Sequence, residues 1–327
     1  MDRRTLIIAG AALMLGGMPA HAGQTWDMAV AYPPGNYHAK SAERFATEVA
    51  AATKGEVTIK VQAGGALGFK GPEMLAAVRD GLVPVGTMLL NQQVGVEPLL
   101  GIASLPYLVS SPSEMRTITD LARPAYDRIA QKHNQKILYM VPWPGQNIFA
   151  KTEVKAPEGF RSLKIRTVDR NGSDFFRELG ASPAQMPWGE VVPALATGVI
   201  NSVTTSSSSG VDGQFWDFTS FCHLVNWQSN FDMVTVNLAA WKKLTPDQQK
   251  AIVDVAKRLE PEFWKAAEQE DADKLKLLSD KGVKMVQSND TLRAFMIAKA
   301  TPKWDAFIAQ VPAAKEIIEK YRAAVKK

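Results

Sequence analysis

The segment "SLKIRTVDRNG" at residues 162–172 puts one arginine where anion chemistry is physically favoured. Leu163, Ile165 and Thr167 alternate with Lys164, Arg166 and Val168, the two-residue period of a short strand. Arg166 falls at the exit of that strand, before a turn and the helix-like "GSDFFREL". A guanidinium there is either a solvated surface charge or a clamp for a carboxylate, whose two oxygens match its planar fork. Other chemistries are poorly supplied. His38, His133 and His223 lie in separate regions, without the H-x-x-x-H spacing of a zinc site. Cys222, the sole cysteine, sits in the apolar "FTSFCHLV" and reads as a small buried residue rather than a nucleophile. The "TTSSSSG" run at 204–210 lacks the G-x-S-x-G elbow and reads as a hydroxyl-rich loop. An exported enzyme using that run with His223 or Asp212 is the rival hypothesis. The expectation is a protein without catalytic residues, metal or cofactor.

Elements must hold Arg166 in place, and the pattern supplies them. "TWDMAVAY" reads as a first strand ended by Pro33-Pro34-Gly35, followed by a helix whose Ala42, Phe45, Ala46 and Val49 share one face. "EVTIKVQAGG" alternates as a strand, "GPEMLAAVRDG" is a short helix, and "VPVGTMLL" is a buried strand. A helix over residues 112–133 then precedes the strand "KILYMVPW". A second β/α unit starts near Pro144-Gly145, and "NFDMVTVNLAAWKKL" reads as a return to the first. Thr245, Pro246 and Asp247 announce a long helix with Ile252, Val255, Leu259 and Phe263 on its apolar face, and a kink is expected at Pro261. The class is α/β, in two lobes joined by several crossings, with a long helix bracing both. The expected division is a leader at 1–22, a first lobe of 23–143 plus 231–271, and a second lobe of 144–230 plus 272–327.

The leader rests on Arg3 and Arg4 before an apolar stretch and the small-x-small Ala20-His21-Ala22, with cleavage expected after Ala22 and a periplasmic destination. One cysteine in an exported chain leaves no internal disulfide, so burial alone must stabilise the fold. With 46% hydrophobic residues among 327, the chain has enough apolar material for two cores. Its net charge of +5 is spread along the sequence without basic–aromatic clusters, which speaks against nucleic acid as a partner.

Several segments together resemble one family, the extracytoplasmic solute-binding receptors of TRAP transporters, DctP-type. They are "AGGALGFKGPEMLAAVRDG", "ASLPYLVSS", "KAPEGFRSLKIRT", "LGASPAQMPWGEVVPALATGVINSV" and "LTPDQQKAIVDVA", covering the mature chain in order. The resemblance implies a hinged, two-lobed periplasmic-binding-protein fold, monomeric, that closes on a small organic acid and delivers it to membrane permease subunits. It also implies that Arg166, the arginine of the K-I-R strand, grips the substrate carboxylate. Trp188 occupies the family's aromatic position, expected to stack over the ligand. Gln146 stands where sialate-type relatives carry a second arginine, and Thr205 falls near the usual asparagine. Tyr32, Phe69, Met88 and Leu89 fall near the contacts of the opposite lobe. Fewer cations and more apolar groups imply a monocarboxylate with an apolar or aromatic body, with a 2-oxo or 2-hydroxy group as an option. A C4-dicarboxylate or sugar acid is the competing ligand class.

Overall fold

A computed structural model describes residues 23–326. The expected leader therefore lies outside the described residues. The first sheet collects β1 (Gln24–Ala29), β2 (Val57–Gln62), β3 (Val85–Leu89) and β4 (Gln135–Pro142), together with a strand from much later in the chain, Phe231–Asn237. The second contains β5 (Asn147–Ala150), β6 (Lys164–Thr167), β7 (Ser182–Gln185), β8 (Ser202–Thr205) and β9 (Phe221–Leu224). The late strand is β10 (Phe231–Asn237), and β11 (Lys284–Gln287) completes the second sheet. Strand orders are β2-β1-β3-β10-β4 and β11-β9-β5-β8-β6-β7.

Both sheets are parallel except at one strand. β10 runs antiparallel to β3 and β4, and β5 runs antiparallel to β8 and β9. These are the strands the chain enters through two short connectors between the lobes, and each connector reverses its direction. The connectors pair with each other: Trp143 N donates to Asn230 O at 2.9 Å, and Trp227 N donates to Gln146 O at 3.1 Å. Two adjacent backbone strands linked this way form a narrow hinge.

Helices cover both faces of each sheet, as buried parallel strands require. On one face of the first sheet, α1 (Tyr37–Ala52) packs Ala42, Phe45 and Val49 against Val85 and Leu89. On the other, α2 (Met74–Arg79) and α3 (Pro112–Lys132) bury Met74, Val78, Ile118 and Ala122 against Met88 and Met140. In the second lobe α4 (Arg170–Glu178) sets Phe175 and Phe176 against Ile165, while α5 (Val191–Ala196) closes the opposite face. α6 (Ser207–Asp212) follows β8 directly, and α7 (Leu238–Trp241) follows β10. Cys222 is buried in the second lobe's core and burial pushes its thiol pKa up, which suits a packing role.

The long helix is α8 (Pro246–Asp280), opened by a capping box in which Thr245 and Gln248 satisfy each other's backbone N–H groups. At 1.5 Å per residue its 35 residues span about 50 Å. Ile252, Val255, Leu259 and Phe263 serve the first lobe's core, and Leu278 serves the second's. The helix is continuous through Pro261, where the kink is expected.

The tail differs from its expected placement. α9 (Asp290–Gln310) puts Leu292, Met296 and Ala300 into the second lobe, then Trp304 and Phe307 into the first. α10 (Lys315–Val325) packs on α3, with Ile318 and Tyr321 fully buried there and the Tyr321 hydroxyl donating to Leu108 O at 2.8 Å. The end of the chain thus belongs to the first lobe. Its apolar face finds α3 uncovered, whereas the second sheet already has helices on both sides.

Candidate functional site

Arg166 is 2% exposed, on a strand flanked by parallel neighbours β7 and β8. Its Nε and Nη2 both donate to Met186 O, at 3.1 and 3.0 Å. That carbonyl, just past β7, fixes the plane of the guanidinium and leaves its other N–H groups directed elsewhere. Among the described residues no carboxylate forms an ion pair with it. Burial draws its pKa down to about 10, partly offset by the field of Asp169, so it stays charged at neutral pH. A buried, unpaired cation is costly unless an anion joins it.

The cavity beside it lies between the lobes, beyond the carboxyl ends of β1, β3, β6 and β8, where ligands of open α/β sheets collect. Tyr32, Leu89 and Trp143 close it from the first lobe, with Asn230 from the hinge; Val168, Trp188, Thr205 and Asp212 face them from the second. It offers the centre of a water-sized sphere about 40 Å³. One water needs about 10–15 Å³ by that measure, so the chamber holds a compact guest.

The apolar wall is held from behind. Asp232 Oδ1 accepts from the Tyr32 hydroxyl at 2.9 Å and from Trp143 Nε1 at 2.8 Å, and the two rings meet edge to face with centroids 4.9 Å apart. Asp232 is fully buried, and burial raises its pKa to about 7 against the lowering effect of those two donors. Its Oδ2 has no hydrogen-bond partner and lies 3.9 Å from His38 Nδ1.

The polar side of the cavity supplies acceptors. Asn230 Oδ1 is buried with no hydrogen-bond partner. Asp212, at the end of α6, accepts from Asn36 Nδ2 at 2.6 Å, a contact between lobes. Burial raises its pKa, with the Asn36 bond opposing. A second contact across the cleft is that of Asn91 Nδ2 with Asp169, which also accepts from Gln228 at 3.0 Å and caps α4 through Gly172 N at 2.6 Å. Lys70 and Glu190 pair at 2.9 Å on the exposed rim. These bonds hold the two lobes shut.

A site with one cation, a buried unpaired acceptor and an aromatic wall between hinged lobes is a receptor geometry, and the comparisons agree. The sequence matches bacterial extracellular solute-binding protein, family 7 (DctP), over residues 28–310. The chain belongs to that family. A solute-binding protein of Chromohalobacter salexigens is 26% identical over 295 residues, covering 88% of this chain and 85% of the relative. Among solved structures, DctP7, a Bordetella pertussis extracytoplasmic solute receptor binding pyroglutamic acid, superposes with a TM-score of 0.89 at 28% identity, over 92% of this chain and 100% of that one. A marine metagenome TRAP solute-binding protein specific for pyroglutamate gives 0.88 at 27% identity, over 92% and 99%.

Within this TRAP solute-binding protein, Arg166, Gln146, Thr205, Trp188 and Tyr32 meet at one cavity. Gln146 is tied to Pro144 O at 2.9 Å, and Trp188 leans on Phe215 with centroids 6.2 Å apart. Met88 and Phe69 are placed elsewhere. Met88 points to the opposite face of β3, into the core beneath α2 and α3, and Phe69 packs against that same core. Leu89, one residue on, takes the cavity-facing position. The serine run is not a loop throughout. Thr205 ends β8, Ser206 caps the next helix by accepting from Ser209 N at 3.2 Å, and Ser207 donates to Asp271 at 2.6 Å. His223 is engaged with Val154 N and Ile148 O. Asp212, Asn230, Gln92 and Ser209 line the site without having been singled out as ligand contacts. Asp232 had a usable signal: a lone carboxylate inside the apolar strand "FDMVTVN".

Proposed function

We propose that this protein is a periplasmic, non-enzymatic TRAP receptor that captures a compact monocarboxylate bearing an N–H donor, and hands it to membrane permease subunits. Pyroglutamate is the reference ligand. The observation carrying this reading is the pairing of Arg166, a buried cation without a carboxylate partner, with Asn230 Oδ1, a buried acceptor without a donor, at one small cavity. A ligand with a carboxylate at one end and a lactam or amino N–H at the other satisfies both. Asp212 strengthens the demand for a donor, and the methylenes of a small ring match Tyr32, Leu89, Val168 and Trp143. The two pyroglutamate-binding neighbours support the choice.

The mechanism follows from which lobe holds which group. Arg166 on the second lobe receives the carboxylate in the open form, and rotation about the paired connectors brings the Tyr32–Trp143 wall over the apolar side. Ligand favours closure only through contacts made with both lobes together. A thermal-shift screen followed by calorimetry over pyroglutamate, orotate, glucuronate, gulonate and C4-dicarboxylates tests this. Selective stabilisation by pyroglutamate supports the reading, because ligand-linked stability grows with occupancy. Stabilisation by sugar acids or dicarboxylates alone refutes the compact-acid assignment.

A further inference from the structure

A second cavity lies behind the hinge, on the far side of the connectors from Arg166. Its volume is about 330 Å³, larger than the ligand chamber by the same measure. Both lobes and the brace build it. The first lobe gives Ser110 and Met115 at the start of α3; the second gives Asn147 and Leu224; α8 gives Trp264, Ala267, Asp271 and Leu275. The connectors themselves, Pro142 to Gly145 with Asn226 and Ser229, form the partition. Asn226 Nδ2 donates to Ser110 O at 3.2 Å, tying the second connector to the first lobe at this wall. Trp143 borders both cavities.

The lining chemistry inverts that of the front site. It is mainly apolar, with the Asp271 and Glu268 carboxylates and no lysine or arginine. Asp271 receives Ser207 on one oxygen and forms no ion pair among the described residues. Such a chamber complements a small organic cation with an apolar body. It cannot exchange ligands with the front site, where the fixed charge is Arg166.

Position gives this cavity a mechanical consequence. Front cleft and back cavity lie on opposite sides of one hinge, so a rotation that opens the cleft brings Ser110 and Met115 towards Leu224 and narrows the back. A guest behind the hinge therefore resists opening. We propose that the back cavity is a second binding site, for small amphipathic amines, whose occupation favours the closed receptor and raises affinity for the acid in front. By linkage the acid must raise affinity for the amine by the same factor.

The test uses the full mature receptor and 2-phenylethylamine as the probe. Titration followed by intrinsic tryptophan fluorescence, to which Trp143 and Trp264 contribute among the chain's eight tryptophans, is expected to show saturable 1:1 binding with Kd on the order of 0.1–1 mM. The neutral 2-phenylethanol should bind about tenfold more weakly. Asp271→Asn, close to isosteric, should erase most of that difference. Met115→Trp, which fills the chamber, should abolish probe binding and tighten pyroglutamate binding several-fold in calorimetry. The site is overturned by absence of saturable probe binding, or by probe affinity unaffected in both variants. The coupling is overturned if saturating amine leaves acid affinity unchanged or lowers it. The coupling arm rests on the proposed front ligand, but the fluorescence arm needs no acid, so failure of pyroglutamate to bind is told apart from failure of the back site.

Discussion

Replacing Arg166 should separate ligand binding from folding, with opposite signs. The guanidinium is buried, spends two N–H groups on Met186 O, and meets no carboxylate within the described protein. Its remaining donors are available to a bound carboxylate as a charged, desolvated pair. Truncating one member of such a pair costs roughly 3–5 kcal/mol, about 150- to 5000-fold in Kd. Arg166→Met keeps the volume and removes the charge, so it should show a loss in that range. Arg166→Lys keeps the charge without the fork, and a loss of about 2 kcal/mol is expected. The unliganded receptor should behave differently. An uncompensated buried cation destabilises it, whereas losing it strands only one carbonyl, at about 1–3 kcal/mol. Arg166→Met should therefore melt no lower than wild type without ligand. Calorimetry with pyroglutamate and thermal melts of the unliganded protein are the paired assays. A melt lowered by many degrees with per-molecule affinity intact would refute the clamp and make Arg166 a structural residue.

Asp212→Asn should weaken pyroglutamate about tenfold in calorimetry, by exchanging an ionic acceptor for a neutral amide; unchanged affinity would remove Asp212 from the contact set. Met88→Ala should destabilise the fold by about 2–5 kcal/mol in urea melts and change the affinity of folded receptor by no more than about twofold, since Met88 faces the core. Asp232 holds its proton to about pH 7 when folded, and an unfolded Asp releases it near pH 4. The unfolded chain thus binds fewer protons in that window, so this group's contribution is fully present below about pH 4 and fades as pH rises to about 7. Asp232→Asn should therefore melt above wild type at pH 8, and the gap should shrink towards pH 4.5; a pH-independent gap would contradict the burial argument.

How much the sequence discloses depends on the kind of residue. Arg166, Thr205 and Tyr32 are legible because strand ends are, and in open α/β sheets strand ends are where ligands sit. Met88 shows the weakness of that approach: Met88 and Leu89 were both named, yet with a period of two they face opposite sides of the strand, and only Leu89 lines the cavity. Phe69 lies in a turn-rich stretch where no period constrains its direction. Asp212 and Asn230 were hidden for another reason. One ends a short helix and the other sits in a connector, where no strand period marks the side that faces the cavity. The tail was legible as helix, but a 3.6-residue period states that a face is buried, not which lobe buries it. α9 changes lobes midway along its length.

The most direct test titrates the wild-type receptor with pyroglutamate beside its primary carboxamide, which keeps the ring and lactam N–H but removes the anion. The account expects saturable binding of the acid and a loss of at least about a hundredfold for the amide. Equal affinity for the two would mean that no carboxylate meets Arg166.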